Sequence, residues 1–166
     1  MRPNNSKAIA RRGVAVTIAA LVLAAVPGAA SAQSDPLIGT WKLNLAKSTY
    51  TAGPAPKSTA LTFQASGPNL TLSGDVVDAQ GKPLKLVIMY ILDGQSHPVT
   101  GSPDYDTRAY TRVDANSVIF TNMKAGKVVS VGFSVLSPDG KTRTTTTTGV
   151  DAGGHALNSV AVYDKQ

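Results

Sequence analysis

Asp106, Arg108, Tyr110 and Arg112 stand two residues apart in D-T-R-A-Y-T-R, with Thr107, Ala109, Thr111 and Val113 between and after them. In an extended strand that spacing puts the four side chains on one face. A guanidinium recognises a carboxylate through two parallel hydrogen bonds, and the pairing strengthens where water is excluded. Turned into an apolar interior, Arg108, Tyr110 and Arg112 would be the polar contacts of an anionic ligand. Turned outward, they would form a solvated ladder. Burying an unpaired Arg is costly, which favours the outward face unless Asp106, backbone carbonyls or the ligand itself satisfies the charge.

Other chemistry is sparse. The chain has two histidines, His97 and His155, and no cysteine. Zinc takes three or four ligands at about 2 Å, mostly His and Cys at short spacing, and no such set is present. The ten acidic residues are all Asp, so a mechanism that needs Glu is excluded. No G-x-S-x-G announces a serine nucleophile. Asp104 and Asp106 in P-D-Y-D-T have no further acids nearby to complete a calcium shell of roughly six to eight oxygens, and read as turn residues. Thr142, Thr144, Thr146 and Thr148 share one face of a strand with almost no apolar residue, which reads as a solvent-facing or edge strand. The expectation is a non-enzymatic protein with no catalytic residues, metal or cofactor.

The elements that would position these residues follow from composition and punctuation. The chain has 166 residues, 42% of them hydrophobic and 16% charged, the balance of one ordinary folded domain. Residues 1–32 combine Arg2, Lys7, Arg11 and Arg12 with an apolar run from Gly13 to Val26, then Pro27-Gly28 and Ala30-Ser31-Ala32. That is the order of a secretory signal peptide, with cleavage after Ala32. Its 14-residue apolar run falls short of the roughly 20 residues a spanning helix needs. Export to the periplasm or the exterior is therefore expected, with no stable membrane insertion. Four of the 16 basic residues belong to this leader, which leaves 12 against 10 Asp. Such a balance, without a basic stripe, gives no footprint for nucleic acid.

From residue 36 onward, Gly, Asn and Asp clusters recur at hairpin intervals, and the runs between them alternate apolar and polar. Trp41, Leu43 and Leu45 share a face, as do Leu61, Phe63 and Ala65, Leu70 and Leu72, and Val129, Val131, Phe133 and Val135. The stretch Leu84–Leu92 is apolar on both faces after Lys85, so it is expected to be covered twice or to lie at an interface. Nine strands follow: 39–46, 58–65, 69–78, 83–92, 106–113, 117–123, 127–137, 141–149 and 156–163. Short consecutive hairpins favour an all-β, antiparallel up-and-down barrel of about eight or nine strands, because closure removes exposed edges. The longer loops, 47–57 and 95–105, are the expected rims of a cavity mouth.

The opening Gly39-Thr40-Trp41-Lys42-Leu43-Asn44 is similar to the G-x-W strand of lipocalins and fatty-acid-binding proteins. Together with the segments G-P-A-P-K-S, D-A-Q-G-K-P, P-V-T-G-S-P and a closing V-Y-D-K-Q, it resembles small exported bacterial proteins called lipocalin-like, over most of residues 36–166. The resemblance implies a calycin-type barrel in which Gly39 and Trp41 are structural, Trp41 packing across the closed end. It departs from the family at three places, one being the Pro/Gly loop Lys47–Lys57, which leaves no room for the helix-turn-helix lid of fatty-acid-binding proteins. The T-D-Y stretch of true lipocalins is absent, and Tyr163 has Ala161 two residues before it, so the R-x-Y carboxylate clamp of fatty-acid-binding proteins is missing. The expected function is binding of a small, mostly apolar, acyl-type or anionic ligand inside the barrel. The alternative is a plugged barrel that serves as a protein- or polymer-interaction module.

Overall fold

The computed structural model describes residues 35–166; the leader read over residues 1–32 lies outside them. Eleven strands run β1 Gly39–Leu43, β2 Thr49–Ala52, β3 Ser58–Ser66, β4 Asn69–Val77, β5 Pro83–Tyr90, β6 Asp93–Thr100, β7 Thr107–Arg112, β8 Ser117–Lys124, β9 Lys127–Leu136, β10 Thr142–Val150 and β11 Ala156–Lys165. Each pairs antiparallel with its neighbours, and β1 pairs with both β3 and β11, which closes the sheet into a barrel of ten staves. β2 is the extra strand. A 3-10 turn at Leu45–Lys47 breaks the first stave, and β2 then continues along β11. Asn44 and Ser48 hold that break. Lys47 N–H donates to Asn44 Oδ1 at 3.1 Å, Asn44 Nδ2 donates to Asp164 at 2.7 Å, and Ser48 Oγ accepts from Val162 N–H at 2.9 Å.

All nine expected strands are present; of the two additional ones, β2 lies inside the 47–57 loop and β6 starts two residues before the 95–105 loop and runs into it. β6 (DGQSHPVT) was invisible to periodicity because it offers little apolar alternation and is mostly exposed. Its place in the sheet rests on backbone pairing with β7, across a bulge between Asp93 and Ser96. The turns follow their Asp residues. Asp93, Asp114, Asp139 and Asp151 each accept the backbone N–H two residues on, and these bonds help hold all four carboxyls below the usual carboxylate range.

The alternation reading holds for β3 and β4, whose Leu61, Phe63, Leu70 and Leu72 are buried. It reverses on β9. There Ser130 and Ser134 are buried while Val131 and Phe133 are about two-fifths exposed, at 41% and 40%. The cause is Gly132, which faces inward beneath the Phe120 ring: a Cβ at that position would sit 2.1 Å from Phe120 Cζ. β10 faces solvent with Thr146 and Thr148, one of its two expected placements, but it is no edge strand, since it pairs with both β9 and β11 and turns Arg143 inward. On β5, Ile88 and Tyr90 are buried, whereas Val87 and Met89 form an uncovered outer row.

One end of the barrel is filled. Trp41 is fully buried there, its Nε1 donates to the Leu37 carbonyl at 2.8 Å, and the Lys165 ammonium lies 5.2 Å from its ring centre. Gly39 starts the strand at a φ of +124°, a conformation that L side chains rarely adopt. Phe63, Tyr90, Tyr110 and Phe120 continue the packing as a relay of rings at 5.4, 4.4 and 6.1 Å. Trp41→Ala is expected to destabilise the fold by about 3–5 kcal/mol, the range for large aromatic truncations in cores, as measured by urea unfolding. A midpoint close to that of the parent would remove Trp41 from this role.

Candidate functional site

β7 turns its polar face into the barrel, and two of the three expected ligand contacts go with it. Tyr110 is fully buried. Arg108 donates from Nε to Asn122 Oδ1 at 2.5 Å, and from its terminal nitrogens to the Tyr110 and Tyr105 hydroxyls at 3.0 and 2.9 Å. Asn122 in turn donates to Ser130 Oγ at 2.8 Å. Every arm of Arg108 is therefore engaged, and Asp106 is not among its partners: Asp106 Oδ2 accepts the Ala125 N–H at the β8–β9 turn. Arg112 is not brought to the same place. Four residues of strand cover about 13 Å, which carries it past the filled end of the barrel. It is exposed there, reaches the carbonyls of Asp114 and Ala115 at 3.5 and 3.3 Å, and borders a cleft of about 70 Å³ with Asp35 and Tyr90.

The other half of the barrel is hollow. A cavity of about 190 Å³ lies between Leu61, Leu72, Ile88 and Phe120 on its apolar side and Arg108, Arg143, Tyr105 and Tyr163 on its polar side. Thr145 and Thr147 of β10 complete the wall. Arg143 and Tyr163 are direct partners in the β10–β11 register, so an arginine and a tyrosine meet across two strands rather than two residues apart on one. Sequence reasoning missed Arg143, Tyr105 and Tyr163. The row Arg143, Thr145, Thr147 is polar, and an apolar-inside rule assigns such a row to solvent.

The two guanidinium groups differ. Arg143 is 5% exposed and touches ring faces only, 5.3 Å from the Phe63 centre and 5.9 Å from that of Tyr163. It makes no side-chain hydrogen bond among the described residues. Every enclosed side-chain N or O atom there does have a partner, so the Arg143 nitrogens border open space. Arg108 also stacks, 4.5 Å from the Phe120 centre and 4.8 Å from that of Tyr105. Among the described residues two lysine–carboxylate pairs, Lys47–Asp164 and Lys85–Asp75, and two histidine–carboxylate contacts, His97–Asp93 and His155–Asp151, are present, none of them to either arginine.

No phenolate offsets these charges. Burial pushes the Tyr105 and Tyr163 hydroxyls above their ordinary range despite the opposing pull of Arg108 and Arg143, and raises Tyr90 to about 12. The phenols therefore remain protonated and can donate as well as accept. Outside the cavity an open groove of about 440 Å³ crosses the rim, bordered by Lys42, Lys57 and the Lys85–Asp75 ion pair and sharing Thr59 and Val76 with it. Ammonium groups at a mouth raise the local concentration of anions. The arrangement as a whole is an electropositive, partly apolar chamber. Among the described residues no group of three His, Asp or Glu could hold a metal ion, and no helix is long and apolar enough to cross a membrane.

No protein-family model matches the chain, and no curated protein matches it. Among solved structures it is similar to zebrafish ileal bile acid-binding protein complexed with cholic acid, with a TM-score of 0.48 and 10% identity, over 79% of this chain and 99% of that one. It is also similar to Rv2717c from M. tuberculosis, with a TM-score of 0.47 and 16% identity, over 79% of this chain and 93% of that one.

The contrast between the arginines predicts opposite stability effects. Arg108→Met leaves Asn122, Tyr105 and Tyr110 each short of a partner and is expected to cost about 3 kcal/mol or more. Arg143→Met removes a charge that has no partner to lose, and is expected to be neutral or stabilising by up to about 4 kcal/mol, as when buried ionic groups give way to apolar ones. Urea unfolding of the two variants measures both; equal losses would contradict the assignment.

Proposed function

We propose that this protein is an exported, non-enzymatic binder of a compact organic anion, held in the hollow half of the barrel. The observation that carries this reading is Arg143, a buried guanidinium with no side-chain hydrogen bond and no ion pair among the described residues, which lines this cavity as well as the cleft beside Asp35 and Tyr90. A carboxylate placed there takes two hydrogen bonds from Arg143 and further ones from Tyr105 and Tyr163, in surroundings dry enough to make them strong. Arg108, locked by three hydrogen bonds, adds its charge from a fixed position at little entropic cost. Leu61, Leu72, Ile88 and Phe120 receive the apolar body of the ligand.

Size refines the class. Pockets for drug-sized molecules run from about 300 Å³ upward, and a dry cavity of about 150 Å³ accommodates benzene. A chamber of about 190 Å³ therefore suits a single ring or a short chain with one acidic group, and a long acyl tail does not fit. The leader over residues 1–32 supports delivery to the periplasm or the exterior, with the processed chain starting at Gln33.

Isothermal titration with benzoate and with benzyl alcohol tests the reading, because the pair differs in charge and hardly in size. Benzoate is expected to bind saturably and benzyl alcohol about 30-fold more weakly, a difference of about 2 kcal/mol. Arg143→Met is expected to erase the difference, and palmitate to give no internal binding. Equal affinity for the two compounds would refute an anion site.

A further inference from the structure

The chamber holds more positive charge than one carboxylate cancels. Arg108 and Arg143 both line it, and the rest of its wall is aliphatic and aromatic side chains, threonines, tyrosines and one glycine. Among the described residues no carboxylate lies within ion-pair distance of either guanidinium. The two that flank Tyr105 in the chain are committed to backbone. Asp104 Oδ1 accepts Ala152 N–H at 3.1 Å, and Asp106 Oδ2 accepts Ala125 N–H at 2.9 Å. Asp35, in the cleft that Arg143 also borders, accepts Leu37 N–H at 2.9 Å. The Tyr105 and Tyr163 hydroxyls are raised by burial, so neither supplies a negative charge.

Hydrogen bonds do not remove the excess. The three partners of Arg108, Asn122, Tyr110 and Tyr105, are neutral groups that solvate its charge without cancelling it. A guanidinium has five N–H donors, so about two remain on Arg108 after these bonds. A singly charged ligand neutralises one guanidinium and leaves the other buried with its charge uncompensated, which is costly. A second negative charge removes that cost, and the attraction is strong where water is excluded. Every other group of the wall is neutral, so nothing there repels it.

The fold brings the two arginines in from separate places. Arg108 lies on β7 and Arg143 on β10, with β8 and β9 between them. At about 4.8 Å per strand, their backbones stand about 14 Å apart across the sheet. Both charges nonetheless act on the Tyr163 hydroxyl and oppose its rise, so they reach a common part of the chamber.

We infer that the anion this chamber selects is a small dianion, either a short dicarboxylate or a phosphate monoester. The inference rests on the anion-binding reading above and sharpens it. In a dicarboxylate the two charges stand on separate groups, one for each arginine; in a phosphate monoester one group carries both.

Isothermal titration with two matched pairs tests this, at one ionic strength and about pH 7.5, where a phosphate monoester is doubly charged. The pairs are phenyl phosphate with phenyl sulfate, and glutarate with its monomethyl ester. Each differs by one negative charge and little in size. The doubly charged member of at least one pair is expected to bind about 30-fold tighter than its mate, and the responding pair tells one group from two. Arg143→Met, with its fold checked by circular dichroism, is expected to cut that preference to about threefold or less. Matched affinities within both pairs while benzoate still binds would overturn the inference and leave the anion reading standing. Failure of all these compounds to bind would overturn both. A preference that survives Arg143→Met overturns the inference as well, because it then does not depend on the pair of arginines.

Discussion

Phe120 lies across Gly132, and much of the remaining architecture depends on that contact. The ring occupies the volume that any β9 side chain at position 132 would need, so the parity of β9 is fixed. Ser130 then points inward and accepts from Asn122, and Asn122 in turn accepts from Arg108. Ser134 likewise points inward to Thr145 at 3.0 Å. The same parity sends Val131 and Phe133 to the outer wall. One ring over one glycine thus sets both the inward serines that anchor Asn122 and Thr145 and the outward Val131 and Phe133. The Gly-aromatic cross-strand pair is a known way to secure a weak strand position; here it also decides what each side of the strand is for.

Inside, charge and volume work against each other. The closed end is packed with rings and aliphatics around Trp41, as a ten-stave barrel without disulfides requires for its stability. The open end leaves about 190 Å³ unfilled and sets two guanidinium groups beside it. Local rules for a stable core are broken there, and such breaks concentrate at functional sites. Arg108 meets its cost with hydrogen bonds made before any ligand arrives, whereas Arg143 has only ring faces.

How much of this could be read from the chain follows from which faces are apolar. Leu61 and Phe63, or Leu70 and Leu72, announce both strand and direction because their inner face is apolar and their outer face is not. Trp41 was legible for the same reason. On β9 the inner row is serine and glycine, so the alternation gives the strand but inverts its direction, and on β10 the inner arginine and threonines offer no apolar alternation to read. For β7 the shared face of Arg108, Tyr110 and Arg112 was plain, while its inward sense and the length of the barrel that strands Arg112 outside were not. The meeting of Arg143 with Tyr163 depends on register between strands 20 residues apart, which no short motif records.

The first stave is completed by the last. Gly39 to Leu43 finds one partner in β3, nearby in sequence, and the other in the final residues of β11. Each hairpin from β3 to β10 joins neighbours in the chain and can form soon after its residues are free, whereas the ring shuts only through a contact spanning more than a hundred residues. Non-local contacts of this kind slow folding, because the chain entropy is lost before the contact rewards it. A chain released gradually from its N-terminus would wait as a curved open sheet with two bare edges until β11 arrived. β11 is in that sense a clasp, and the time the open sheet spends exposed to aggregation is set by its arrival.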